Sequence, residues 1–241
     1  MSSPVVQLRP TPARLLRLLA GLVLYGVAEG LMVLAAVGVG PWTVLAQGLA
    51  LATGTGVGWV TNLVGLGVLL LWIPLRQRPG LGTVLNVALV GTVIEATVDL
   101  LPAPDALALR IPLFAAGLVL LAVASGTYIG AGLGPGPRDG LMTGLHARTG
   151  RPIWVVRCAI ELSVLAAGWA LGGDVGAGTV AFALGIGPLV GLFLPLLAPA
   201  RAVASGACPT SSPATSTPPT PLPGTRCAPS TASGSPRSAT R

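Results

Sequence analysis

The chain has 241 residues, of which 52% are hydrophobic and only 9% charged, and its mean hydropathy is +0.81. A soluble domain carries roughly 25% charged residues; so few charges cannot solvate a water-soluble globule of this size, and composition selects an integral membrane protein. The formal charge of +7 comes from arginine alone, with no lysine, and because these arginines sit between apolar runs they point to membrane orientation and not to nucleic acid.

An apolar run of about 20 residues crosses the hydrocarbon layer as a helix. Six such runs follow one another, at 16–37, 56–73, 80–101, 111–131, 153–171 and 177–197. The first follows Arg9, Arg14 and Arg17 and contains Glu29. It is longer than the roughly 7–15-residue apolar region of a secretory leader, so it reads as an uncleaved span.

The connections alternate in charge. The segment 38–55 has none, whereas IPLRQRPG carries Arg76 and Arg78. The connection near 102–110 has Asp105 and Arg110, the next has Arg138, Arg148 and Arg151, the last has only Asp174, and Arg201 follows the final span. Under the positive-inside rule this places both termini in the cytoplasm. From about 199 the chain turns to Pro, Ser, Thr and Ala, too poor in large apolar residues to offset the entropy of ordering, and it reads as a disordered cytoplasmic tail.

An internal repeat runs through the membrane part. Gly38-Val-Gly-Pro41 leads into WTVLAQGLALATG, and Gly134-Pro-Gly-Pro137 leads into RDGLMTGLHARTG, 96 residues later. The same shift sets Gly48 on Gly144, Thr53-Gly54 on Thr149-Gly150, and Gly82-Thr-Val84 on Gly178-Thr-Val180. Each copy holds three spans. An odd number makes the second copy enter from the opposite side, so the halves are expected to be an inverted pair. The expected fold is therefore all-α: a polytopic bundle of six transmembrane helices in two inverted three-helix repeats. Its parts are a cytoplasmic N-terminal segment (1–14), a first repeat (15–101), an external linker (102–110), a second repeat (111–197) and the tail (198–241).

Each copy also carries a short helix. Gly40-Pro41 and Gly136-Pro137 suit a helix start, Gly54 and Gly150 a C-cap. The roughly 12 residues between them reach only about 18 Å as helix, too short to span. Such a helix either lies in the membrane interface or re-enters the membrane with its N-terminus turned to an anion.

Ionisable groups inside spans cost roughly 2.5–3.5 kcal/mol on insertion scales and point to function. Here they are Glu29, Glu95, Arg157 and Glu161, with Asp99 near the end of the third span. Arg157 and Glu161 are four apart and can pair. Glu29, Glu95 and Asp99 fit an outward-facing acidic cavity for a cation or proton, or carboxyls bonded between helices. Gln47 and Asn62 can add amides to such a site, or bond between helices. Asp139 suits the first turn of its helix electrostatically. His146 reads as a polar-face residue. A G-x-G-x-x-A match at Gly176–Ala181 lacks a preceding strand and is not a dinucleotide signature.

Three cysteines, Cys158, Cys208 and Cys227, with one histidine give no metal cluster or disulfide framework. With no Ser-His-Asp set either, the expectation is a protein that is not an enzyme and uses no metal or cofactor.

The phrases GPWTVLAQGL, LLLWIPLRQRPGLGTVLN, YIGAGLGPGPRDGLMTGL and the run from VGAGTV to ALGIGP resemble the YczE-like family of bacterial integral membrane proteins, related to the YitT-like group, over about residues 15–197. Pro137, Arg138, Asp139 and Gly140 match its motif. The resemblance implies the bacterial cytoplasmic membrane and brings no substrate, reaction or site residue. Two functional readings stay open. One is a small transporter or permease-like protein for a solute or ion. The other is a non-transporting membrane factor that binds or assembles a partner protein, docking through 133–152; association with a second copy of the chain is open under either reading.

Overall fold

The computed structural model describes residues 10–197. Arg9, Arg201, Cys208, Cys227, residues 1–9 and the tail 198–241 lie outside the described residues, together with the expectations attached to them. The described residues form eight helices and no strand: α1 (Pro12–Ala35), α2 (Pro41–Thr53), α3 (Val57–Leu75), α4 (Leu81–Leu100), α5 (Leu107–Ile129), α6 (Pro137–Thr149), α7 (Ile153–Ala170) and α8 (Ala177–Leu197).

All but α2 and α6 have 18 to 24 residues and are apolar enough to cross a membrane. Their outward faces carry large apolar side chains, among them Leu70, Leu71 and Ile73 on α3, Leu162 and Trp169 on α7, and Leu184 and Leu192 on α8. A surface like this is stable against lipid, not water. The chain is a helical membrane protein.

Local chemistry sets the helix ends. α1 starts at Pro12, earlier than the apolar run, because Pro12 occupies the first turn and Thr11 Oγ1 accepts from the Arg14 N–H at 3.4 Å. It stops at Ala35, where Ala36 turns left-handed. α5 likewise starts at Leu107, ahead of the expected 111, and runs through Pro112. Pro41 and Pro137 open α2 and α6, and Gly54 and Gly150 close them in the left-handed conformation.

α1 and α5 form the centre. Gly21 packs against Tyr128, and Gly117 against Ala28 and Met32. α4 flanks α1, with Gly26 against Val90 and Val93 and Gly30 against Thr97. α8 flanks α5, and α3 meets α4 backbone to backbone through Gly58 and Gly91. Lipid tails are as apolar as leucine, so association rests on close van der Waals packing, which small residues permit.

The first turns of the short helices sit between long ones, and their C-terminal ends are exposed. α2 is buried from Pro41 to Val44 and packs on α7, where Gly48 meets the Gly168 carbonyl. α6 packs on α3: the Trp72 ring covers Gly140 and its indole N–H donates to the Pro137 carbonyl at 3.0 Å. One pairing is missing. α3 runs along α4, but α7 and α8 do not pack along each other.

Candidate functional site

The first turns of α2 and α6 meet inside the bundle. There the Arg138 guanidinium lies over the Trp42 ring, 5.1 Å from its centroid. These residues border a cavity of about 590 Å³, within the roughly 300–1,000 Å³ range of small-molecule sites. Its polar lining includes Thr61, Asn62, Asn86, Ser125, Arg138, Asp139, Arg157 and Glu161, with Tyr25 and Tyr128. Val64, Val87, Val90, Phe182, Ile186 and Val190 supply the apolar part.

Each polar group is held differently. Arg157 Nε bonds Glu161 Oε1 at 2.9 Å, so this pair carries its own counter-ion on one helix face. Asn62 Nδ2 donates to Thr92 Oγ1 at 3.1 Å, and its buried Oδ1 has no partner. The Tyr25 and Tyr128 rings meet edge to face at 5.9 Å between α1 and α5. Arg157–Glu161 is the only ion pair among the described residues. Arg138 therefore has no carboxylate within salt-bridge distance, and its guanidinium makes no hydrogen bond to the protein.

Neither α2 nor α6 has a conventional side-chain N-cap. In α2 the Thr43 and Val44 N–H groups both turn back to the Gly40 carbonyl at 2.9 Å. The Trp42 indole N–H is buried and has no partner. In α6 the Asp139 carboxyl folds back over Gly136 at its own helix start.

The residues singled out from sequence divide into three places. Asn62, Arg138, Asp139, Arg157 and Glu161 gather at the central cavity. Glu29 is 2% exposed and lies behind the first turn of α2. Its Oε2 accepts from the Thr43 hydroxyl at 2.8 Å, and its Oε1 has no partner. Gln47, Glu95 and Asp99 line a second cavity of about 590 Å³ with Asp174. There Glu95 accepts from the Gly58 N–H at 2.8 Å and Gln47 from the Asp174 N–H at 3.2 Å, ties that fix the start of α3 and the α7–α8 turn. The structure thus separates Glu29 from Glu95 and Asp99. Thr149 Oγ1 bonds the Leu145 carbonyl at the end of α6.

Trp42, Trp72, Tyr25, Tyr128 and Ser125 were not singled out from sequence. A signal existed for two of them. Trp42 stands 96 residues before Arg138, and Ser125 stands 96 after Glu29, so the repeat register pairs each with a residue already marked. No group of three or more His, Cys, Asp or Glu able to hold a metal ion occurs among the described residues.

Residues 12–195 match a family of unknown function, DUF6198. The chain is similar to an uncharacterized protein of Haemophilus influenzae, 42% identical over 181 residues that make up 75% of this chain and 83% of that protein. It is also similar to the uncharacterized membrane protein YczE of Bacillus subtilis, 35% identical over 163 residues, 66% of this chain and 75% of that protein. No solved structure matches. With the matched region covering the whole helical bundle, the chain belongs to this family of unknown function, DUF6198, a family of YczE-like membrane proteins.

Proposed function

We propose that the protein is a small permease-like transporter of the bacterial cytoplasmic membrane, built from two inverted repeats, with its solute site in the central cavity. The observation that carries the reading is the meeting of the α2 and α6 N-termini at Arg138 and Trp42, residues 96 apart and so equivalent in the two copies. A residue that touches its own counterpart lies on the axis relating the copies. Two half-length helices that meet there re-enter the membrane from opposite sides, an arrangement transporters use to turn helix N-termini toward a solute near the midplane.

The repeat finds support throughout the backbone. All eight positive-φ residues among the described residues fall into pairs 96 apart: Ala36 and Gly132, Gly38 and Gly134, Gly54 and Gly150, Arg76 and Gly172. Two bonds across the copies are reciprocal. The Gly82 N–H donates to the Leu133 carbonyl at 2.9 Å, and the Gly178 N–H donates to the Val37 carbonyl at 2.7 Å. Arg148 bonds the Pro74 carbonyl at the end of the bundle that holds Arg76, whereas Glu95, Asp99 and Asp174 cluster around the second cavity. This charge division supports a cytoplasmic basic end. The alternative of a docking surface at 133–152 finds less support, because Arg138 and Asp139 line the interior cavity.

The test is flux into phosphatidylethanolamine–phosphatidylglycerol vesicles carrying the purified protein, with a panel of carboxylates, inorganic anions, amino acids and monovalent cations. At least one solute is expected to enter faster than in protein-free vesicles and to slow with Arg138→Ala. Fluxes all equal to those of protein-free vesicles would overturn the reading.

A further inference from the structure

We infer that the central cavity takes a small organic carboxylate, with its carboxylate on Arg138 and its apolar body along Val87, Val90, Phe182 and Ile186. This deepens the transporter reading and rests on it only for the idea that the bound molecule moves.

Charge placement comes first. Of the charged groups lining the cavity, Arg157 and Glu161 satisfy each other at 2.9 Å. Asp139 folds over Gly136 at the start of its own helix, where the field of the helix end favours a negative charge. Arg138 has no carboxylate within salt-bridge distance and donates no hydrogen bond; Glu29 and Asp139 act on it only through space. Guanidinium N–H groups left without an acceptor inside a membrane bundle are costly, and an anion that accepts from them lowers that cost.

Geometry then selects the kind of anion. The Trp42 ring covers one face of the Arg138 guanidinium. Its in-plane N–H edges stay available, and such an edge matches a planar carboxylate with two parallel hydrogen bonds. Trp42 contributes an independent sign of a missing acceptor: it is 6% exposed, it lines the same cavity, and its indole N–H has no partner. A buried N–H left unsatisfied costs roughly 1–3 kcal/mol, which a ligand oxygen recovers.

The rest of the wall selects an organic molecule. A small inorganic anion fills little of about 590 Å³ and leaves an apolar wall facing water. A carboxylate with a hydrocarbon body satisfies both parts of the lining.

The experiment is a thermal-shift titration of the purified protein with carboxylates of two to eight carbons, their primary amides, and nitrate and sulfate, run beside flux of the same compounds in vesicles. Carboxylates are expected to raise the melting temperature and amides to leave it unchanged. Arg138→Lys keeps the charge but loses the paired edge and is expected to weaken carboxylate binding by about tenfold, as for loss of one charge-assisted hydrogen bond. Arg148→Ala, at the bundle's end, is expected to leave the affinity unchanged. The wild-type carboxylate–amide comparison stands even if a variant fails to fold. Amides binding as well as carboxylates, or inorganic anions binding more tightly, would overturn the inference. Carboxylate binding without flux would uphold it and sink the transporter reading. Flux of a cation or neutral solute unaffected by carboxylates would sink it and leave the transporter reading standing.

Discussion

Glu95 reaches from α4 to the first turn of α3, where its Oε2 accepts the Gly58 N–H at 2.8 Å. An acidic group in an apolar helix thus serves a helix start 37 residues away in sequence. An amide oxygen in its place could accept the same N–H. Glu95→Gln keeps an acceptor and is expected to change thermal stability little. Glu95→Ala is expected to cost about 0.5–2 kcal/mol, as for a lost N-cap. Melting of both variants in one detergent checks the difference, and equal losses would assign the effect to charge.

Gly91 and Gly187, 96 residues apart, differ in surroundings. A Cβ on Gly91 would run into the Gly58 carbonyl and the Asn62 side chain, whereas nothing stands within 4 Å of one on Gly187. Gly91→Leu is expected to destabilise by about 1–3 kcal/mol or more through overpacking. Gly187→Leu is expected to be near neutral. Monodispersity by size-exclusion chromatography together with melting temperature reads this contrast.

Trp42 offers both a ring and an N–H. Trp42→Phe keeps an aromatic ring beneath Arg138 but removes the buried, unpartnered indole N–H together with part of the ring system. It is expected to fold and to carry solute more weakly than wild type. Trp42→Ala also forfeits a cation–π contact of roughly 0.5–2 kcal/mol and opens a cavity, so it is expected to lose stability as well. Flux normalised to folded protein separates the two effects; Trp42→Phe at wild-type flux would show that the N–H does not serve the solute.

The proposed inverted arrangement makes a labelling prediction. Thr53 and Thr149 are exposed at the C-terminal ends of α2 and α6. In a chain with its native cysteines replaced, Thr53→Cys is expected to react with an impermeant maleimide on intact cells, and Thr149→Cys only after permeabilisation. Both reacting from one side would break the inverted arrangement.

Sequence made the membrane helices legible because length and hydropathy decide them, and because Pro41, Gly54, Pro137 and Gly150 punctuate the short ones. The depth of those short helices was not legible. It depends on contacts such as Trp72 on Gly140 and Arg138 on Trp42, which join residues far apart in the chain. Site chemistry was partly legible for a related reason. An ionisable residue in an apolar run stands out, but whether it faces a solute, as Arg138 can, or a backbone N–H, as Glu95 does, is a tertiary fact. Of the aromatic members of the cavity, Tyr25 passes in sequence for ordinary packing, and Trp42 is marked only by its 96-residue register with Arg138.

The lack of packing along the length of α7 and α8 alters what counts as the container. Both helices border the central cavity, through Arg157 and Glu161 on one and Phe182 and Ile186 on the other, yet neither closes the seam between them. Acyl chains are expected to complete that wall, which would make the bilayer a structural component of the chamber. Flux measured in vesicles of different acyl-chain length or saturation is then expected to change without a single residue being altered.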